Sequence, residues 1–302
     1  MAKVLWAGKL TPSMMLLTNF NSVLAFAQGR ARNTSEMKKR VKDGYEAAFS
    51  DHVHGYDEYG GAIMAKAAEA ELEGVETAGK EVLDVGCGTG ILTFLALAHG
   101  ARKVVGGDVS KFMLSEARAK AAAQKLGPDR VEFTEMDAES LPLPDGSFDL
   151  VLSSLTLGMV PDQQKAISEM GRVTGPGGRV VVGVHGSEYL WEAQDAAFRA
   201  APRQFMMAYR PEFWPLTKRR AERLFGRAGL QDVVVRELRW KNRFASGAAA
   251  WDFYAAISGC WWYERLPLDE RIKDAGRLRD TFERRGVREL TEHIVVASGW
   301  KP

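Results

Sequence analysis

Cysteine is scarce, with two in 302 residues. Cys87 and Cys260 form neither a C-x-x-C pair nor a framework, which excludes disulfide stapling and a structural zinc site and points to a reducing compartment. No metal site is expected. Long apolar runs are missing as well. Met14-Met15-Leu16-Leu17 follows Lys3 and Lys9 and precedes the small-x-small Ala25-Phe26-Ala27, but Thr18, Asn19, Asn21 and Ser22 interrupt it. The stretch is too short and too polar to span a bilayer, so a cytoplasmic chain is expected, with peripheral membrane contact at most. Neither charge sign dominates: 41 Lys plus Arg stand against 39 Asp plus Glu. Without repeats or low-complexity segments, collagen-like and disordered classes are excluded.

A 46% hydrophobic, 26% charged chain of this length is ordinary globular material, enough for one large domain with attachments. Charge is unevenly spread. Residues 55–198 carry 12 basic and 22 acidic side chains, whereas 199–243 carry 12 and 4. An acidic body repels phosphates over most of its surface, so no nucleic-acid partner is expected.

From residue 81 short β-branched runs alternate with helical stretches, the signature of βαβ units and a parallel sheet. Strands are expected at Val82–Val85, Lys103–Asp108, Val131–Phe133, Phe148–Leu152, Arg179–Val184, Gln231–Trp240 and Glu292–Ser298. Helices are expected at Ile91–His99, Lys111–Lys125 behind Ser110, Gln163–Arg172, and from Thr217 to Gly229 with Ala221, Leu224, Phe225 and Ala228 on one face. Gly175-Pro176-Gly177-Gly178 reads as a tight turn into the fifth strand. The fifty residues before the last strand hold Trp251, Phe253, Tyr254, Trp261, Trp262 and Tyr263, too many for a simple connection.

Gly86, Gly88 and Gly90 sit between a strand and a helix, where a glycine turn lets backbone amides approach a ligand. A dinucleotide fingerprint would run G-x-G-x-x-G; here the spacing is G-x-G-x-G, and Ile91 stands after the third glycine. Asp108 ends the second strand, where a carboxylate can accept two ribose hydroxyls. Asp137-Ala138 follows the third strand, where an adenine amino group and ring nitrogen can be met. Ser153-Ser154-Leu155 ends the fourth, at the crevice where strand order reverses.

Val82–Gly90, Asp108, Met136–Ser140 with Leu141–Asp149, and Gly175–Val184 resemble the Rossmann-like S-adenosylmethionine methyltransferases, in particular the ubiquinone/menaquinone-biosynthesis and sterol group. The resemblance is strong over residues 78–186 and looser over 217–240 and 292–300. It implies an α/β fold with a seven-stranded, mostly parallel sheet whose last strand is antiparallel. A helical N-terminal cap (1–77) and a helical insertion (241–290) would attach to a core of 78–240 and 291–302, with 186–216 contributing to a lid. It further implies S-adenosyl-L-methionine as cofactor and S-adenosyl-L-homocysteine as product. Asp84 and Gly86 would meet the methionine moiety, Gly88 and Gly90 form the loop, Asp108 take the ribose with Val109 and Met113 beside it, Asp137 and Ala138 take the adenine, and Ser154 with Leu155 lie under the sulfonium end. The histidine that many relatives carry after the fourth strand is missing from Leu155–Asp162.

On the acceptor side the candidates are His185, at the end of the fifth strand, and His52, His54, Tyr45, Tyr56 and Tyr59 ahead of the first. Trp191, Phe205, Met206, Met207, Tyr209, Phe213, Trp214 and the Trp251–Tyr263 group offer an apolar wall, so a small or medium-sized apolar or aromatic acceptor is expected. Arg203 and Arg210 are candidates for a substrate anion. A non-catalytic cofactor-binding protein stays open at this point, as does the oligomeric state; the Asn-Pro-Pro-Tyr type of motif expected of a nucleic-acid amino-methylating enzyme is absent.

Overall fold

In the computed structural model the described residues are 53–201, 216–255 and 268–302. The side chains of His54, Tyr56 and Tyr59 fall outside that set, as do Tyr45, His52, Arg203, Phe205, Met206, Met207, Tyr209, Arg210, Phe213, Trp214, Cys260, Trp261, Trp262 and Tyr263.

A 20-residue helix, α1 (Val53–Leu72), precedes β1 (Glu81–Val85). Then follow α2 (Ile91–Ala98), β2 (Lys103–Asp108), α3 (Lys111–Ala123), β3 (Val131–Glu135), β4 (Phe148–Ser154), α4 (Gln163–Val173), β5 (Thr174–His185), α5 (Trp191–Ala200), α6 (Lys218–Arg227), β6 (Gln231–Arg243), α7 (Gly247–Tyr254), α8 (Leu268–Arg284) and β7 (Glu289–Trp300). The starts obey local chemistry. Ser110 accepts from Met113 N–H at α3, Asp162 from Lys165 N–H at α4, and Thr217 from Arg220 N–H at α6, each satisfying one orphan donor of a first turn.

The sheet order is β3-β2-β1-β4-β5-β7-β6. β1 is parallel to β2 on one side and to β4 on the other, with Leu83 opposite Val105 and Val151. The connections therefore leave in opposite directions from the β1/β4 junction, and the crevice beyond the carboxyl ends of these strands is where such sheets bind ligands. β7 is antiparallel. Gly177 N–H donates to Lys301 C=O at 2.9 Å near one end of β5, and Gly186 N–H donates to His293 C=O at 2.6 Å just past the other.

One expectation is corrected. Gly175–Gly178 does not make a turn into a strand; it lies inside β5. Partners shift from Phe148↔Thr174 to Leu150↔Arg179 along the β4/β5 ladder, so the extra residues are absorbed as an irregularity. A bulge bends a strand without ending it.

Two compact units share these strands. The larger holds residues 53–184, 216–237 and 294–302. Leu83, Val151, Leu157, Ile167, Met170, Val180, Val182 and Phe225 are nearly inaccessible in its core. Arg172 fastens the Leu141–Asp145 loop there, donating to the carbonyls of Leu141 and Leu143 and pairing with Asp145 and Glu169. The smaller unit holds 185–201, 238–255 and 268–293. Phe282 is its hub, with ring centroids 5.3 Å from Trp251 and 6.1 Å from Tyr254. Trp251, Phe253 and Tyr254 are therefore packing residues of a helical core, where rings at such spacing add to plain burial.

Candidate cofactor and methyl-transfer site

The loop after β1 is held from beneath by β2. Gly86 and Cys87 N–H groups donate to Gly107 C=O at 2.7 and 3.0 Å. Gly88 N–H donates to Asp108 Oδ2 at 2.9 Å, while Oδ1 accepts from Ser110 N–H, also at 2.9 Å. Gly86 has φ +74°, and a Cβ there would lie 2.2 Å from the Thr156 side chain. Only glycine meets both conditions. Gly88, at φ +55°, faces open space, so its backbone is bared toward whatever occupies that side. Gly90 caps α2 in the left-handed conformation, and a Cβ there would meet the Phe94 ring at 2.7 Å. Its part is to turn the loop into the helix.

One cavity gathers most of the expected residues. Asp84, Gly86, Gly88, Asp108, Val109, Met113, Asp137, Ala138, Ser154 and Leu155 line it; Gly90 does not. The wall also includes Met64, Ala68, Thr89, Met136, Thr156 and Met159, none of which was expected. Met64 and Ala68 come from α1, whose small-residue face carries no motif. Leu155 is at φ +55° with its N–H donated to Gly183 C=O at 2.8 Å. A bulky residue in that conformation is strained, and strain of this kind collects at ligand sites.

α1 is tied to the loop at its other end. Thr89 Oγ1 donates to Asp57 Oδ1 at 2.7 Å, and Lys120 Nζ donates to Thr89 C=O at 3.0 Å while pairing with the Asp57 carboxylate. Thr89 lies between the second and third glycines, so the helix and the loop are one network.

The electrostatics are dominated by buried carboxyls. Asp84 is fully buried and Thr93 Oγ1 donates to its Oδ2 at 2.6 Å, yet Oδ1 has no hydrogen-bond partner. Burial, less the Thr93 hydrogen bond and helped by the Asp108 charge, pushes the Asp84 carboxyl up to about 7. Burial likewise raises Asp108 against the pull of three backbone amides, and raises the Cys87 thiol, an inert filler.

His185 lies elsewhere, in the smaller unit. Its ring stacks on Tyr189 with centroids 3.6 Å apart, and Nδ1 is 3.1 Å from Glu292 Oε1, all three groups being largely shielded. Among the described residues no group of three or more His, Cys, Asp or Glu could hold a metal ion, and no helix is long and apolar enough to cross a membrane.

Residues 83–182 match the family model described as a methyltransferase domain. Over those residues the chain carries a methyltransferase domain. Demethylmenaquinone methyltransferase of Thermus thermophilus is 44% identical over 110 residues, covering 36% of this chain and 48% of that protein. Methyltransferase GfsG of Streptomyces halstedii is 35% identical over 161 residues, covering 50% and 57%. The chain thus spans about half the length of the curated relatives it matches. Phosphoethanolamine N-methyltransferase 2 of Haemonchus contortus, solved with phosphomonomethylethanolamine and S-adenosylhomocysteine, superimposes with a TM-score of 0.58 at 18% identity, covering 87% of this chain and 60% of that one. The YcgJ protein of Bacillus subtilis gives 0.55 at 20%, covering 78% and 98%. At such identities the likeness shows the fold.

The methyltransferase cofactor fits the residues present. A buried carboxylate oxygen without a partner suits the ammonium group of a methionyl tail. Asp108 Oδ2 accepts from Gly88 N–H and Oδ1 from Ser110 N–H, and a carboxylate has acceptor capacity left for ribose hydroxyls. The open face of Gly88 leaves room that any side chain would take up.

Proposed function

We propose that the chain transfers a methyl group from S-adenosylmethionine to a small or medium-sized apolar, aromatic or isoprenoid-like acceptor. The observation that carries the cofactor half is Asp84, whose Oδ1 is buried without a hydrogen-bond partner and which lines the same cavity as Asp108, Gly88, Asp137 and Ser154. Supporting the acceptor half are the apolar wall of Met64, Met136, Leu155 and Met159 and the demethylmenaquinone named for the Thermus relative, an aromatic, isoprenoid-bearing molecule. When bound, the cofactor supplies a methyl group on a positive sulfonium that becomes a neutral thioether.

The chain's own work is alignment. Asp84 would hold the ammonium, Asp108 the ribose, and Asp137 with Ala138 the adenine between Val109, Met113 and Met136. Fixing two reactants at attack distance is worth ~10⁵–10⁸ M in effective concentration, against ~10²–10⁴ for a general base, so no obvious base is required. His185, 3.1 Å from a Glu292 oxygen, is the proposed acceptor-side group, with His54 and Tyr59, which stand ahead of β1 in the sequence, as further candidates. Residues 186–216, 241–290 and the N-terminal segment are the proposed lid, since the site must exclude water.

The test is incubation with methyl-labelled S-adenosylmethionine and a source-cell extract, partitioned into organic, aqueous, nucleic-acid and protein fractions. Label in the organic fraction is expected. Label in nucleic acid or protein overturns the acceptor class, and intact binding with no transfer means a cofactor-binding protein without turnover.

Asp84 adds a pH dependence. The ammonium favours the carboxylate, so below about pH 7 binding must expel a proton, and affinity for S-adenosylhomocysteine should fall by up to about tenfold per pH unit, levelling off above about 7. Calorimetric titration across that range should show the limb in the wild-type protein and a flat profile in Asp84→Asn. A limb that survives the substitution assigns the proton to another group.

A further inference from the structure

α1 buries a carboxylic acid that binding and alignment, as described, do not use. Glu71 has no exposed surface; its Oε1 accepts from Ser154 Oγ at 2.8 Å, and Oε2 has no hydrogen-bond partner. Space for it is made by Gly183 on β5, which pairs with Ser154, since a Cβ on Gly183 would lie 1.9 Å from Glu71 Oε1. From β4 it meets the Ser154 hydroxyl, from β5 Gly183 lies against it, and from β1 it feels the field of Asp84; Arg236 of β6 reaches the same end of α1 but donates to the Ala70 and Glu73 carbonyls and the Glu73 carboxylate, and among the described residues no cation is paired with Glu71. Burial without a counter-charge disfavours the ionised carboxylate and raises the group well above the usual carboxylate range, against the pull of the Ser154 hydrogen bond, and the nearby Asp84 charge adds to the rise. Ser154 lines the cavity that Asp84 lines.

We propose that Glu71, acting through Ser154, is the charge-sensing residue of the cofactor site: it releases its proton when a sulfonium ligand is bound and is reprotonated when the ligand is the neutral thioether. This rests on the cofactor reading given above. S-adenosylmethionine and S-adenosylhomocysteine share adenosine, ammonium and carboxylate, and differ by one methyl group and one positive charge. Whatever Asp84 does, it does for both. A positive charge in a water-poor cavity lowers the cost of ionising the one carboxyl held against Ser154, and the carboxylate then takes a stronger, charge-assisted hydrogen bond from that hydroxyl. The Glu71 proton passes to solvent on binding. After methyl transfer the counter-charge is gone, and the carboxylate takes a proton back, from the acceptor through the Ser154 hydroxyl where the acceptor loses one, and otherwise from solvent. The residue thereby favours cofactor over product, which limits inhibition by the product.

The test is calorimetric titration of both ligands near about pH 7 in two buffers of different ionisation enthalpy, which counts protons. The wild-type protein should release close to one more proton with S-adenosylmethionine than with S-adenosylhomocysteine. In Glu71→Gln, whose amide oxygen still accepts from Ser154, the difference should vanish, and preference for the charged ligand should fall about tenfold or more. Equal proton counts in the wild-type protein, or a difference that survives in Glu71→Gln, overturn the proposal. Should the variant fail to fold, infrared difference spectra of the unsubstituted protein with ¹³C-labelled glutamate decide it: a protonated-carboxyl band that moves with the label must be lost with the sulfonium ligand and kept with the thioether. Failure of both ligands to bind refutes the cofactor reading itself and this proposal with it.

Discussion

Asp108→Ala is expected to weaken S-adenosylmethionine binding by two to four decades while leaving the sheet intact. Two hydrogen bonds from ribose hydroxyls to a carboxylate are worth about 1.5–3 kcal/mol each, and every 1.4 kcal/mol is tenfold in affinity. A second loss adds to the first. Asp108 also accepts from Gly88 and Ser110 N–H groups, so alanine releases the middle of the glycine loop from β2. The loop then pays an ordering cost on binding that the native protein has met in folding. Asp108→Asn separates the two effects: one acceptor oxygen remains, so it should fall between wild type and alanine. Affinity by calorimetry and folding by circular dichroism check this, and binding within threefold of wild type for the alanine variant means that the ribose partner has been misplaced.

That carboxylate was legible in the sequence because two patterns converge on it. A β-branched run locates the strand, and an acidic residue closing it after a glycine turn has few other uses. Asp137 and Ser154 were reached from their places at the ends of the third and fourth strands and Asp84 through the family resemblance, and all three line the cavity. Residues whose role comes from the third dimension were not reached. Glu71 sits in Ala-Glu-Ala-Glu-Leu-Glu-Gly, where alternate glutamates look alike on paper, yet Glu69 and Glu73 are exposed and Glu71 is fully buried. Only the packing of α1 against Ser154 and Gly183 separates them. Asp57 and Lys120 are 63 residues apart and nothing in either segment announces the other. The Gly175–Gly178 run was misread for a related reason: three glycines and a proline specify a turn locally, and Gly177 is indeed left-handed, but hydrogen bonds with Lys301 keep the run within β5 while the β4 ladder shifts register past it. The aromatic residues of α7 failed as pocket markers because a small helical unit must spend its large rings on its own core.

Gly183→Ala should destabilise the protein by about 2–3 kcal/mol, at the upper end of overpacking costs, because neither neighbour can yield cheaply. The added Cβ would lie 1.9 Å from Glu71 Oε1 and 2.2 Å from its carboxyl carbon. The backbone cannot retreat, since Gly183 is paired with Ser154 and its carbonyl takes the Leu155 N–H. Glu71 cannot retreat without leaving Ser154. The cost therefore belongs to the pair, and a double-mutant cycle reads it out. With Glu71→Ala in place, the same Gly183→Ala change meets open space and should cost less than about 1 kcal/mol, giving a coupling of roughly 2 kcal/mol. Denaturant unfolding of the four proteins measures it. Additivity within about 0.5 kcal/mol would show that the glycine is not there to admit the carboxyl. A clear coupling, with Gly183→Ala also losing the ligand-dependent proton release, ties one missing methyl group to the charge response of the site: the fold holds a buried carboxyl beside Ser154 because a glycine leaves it room.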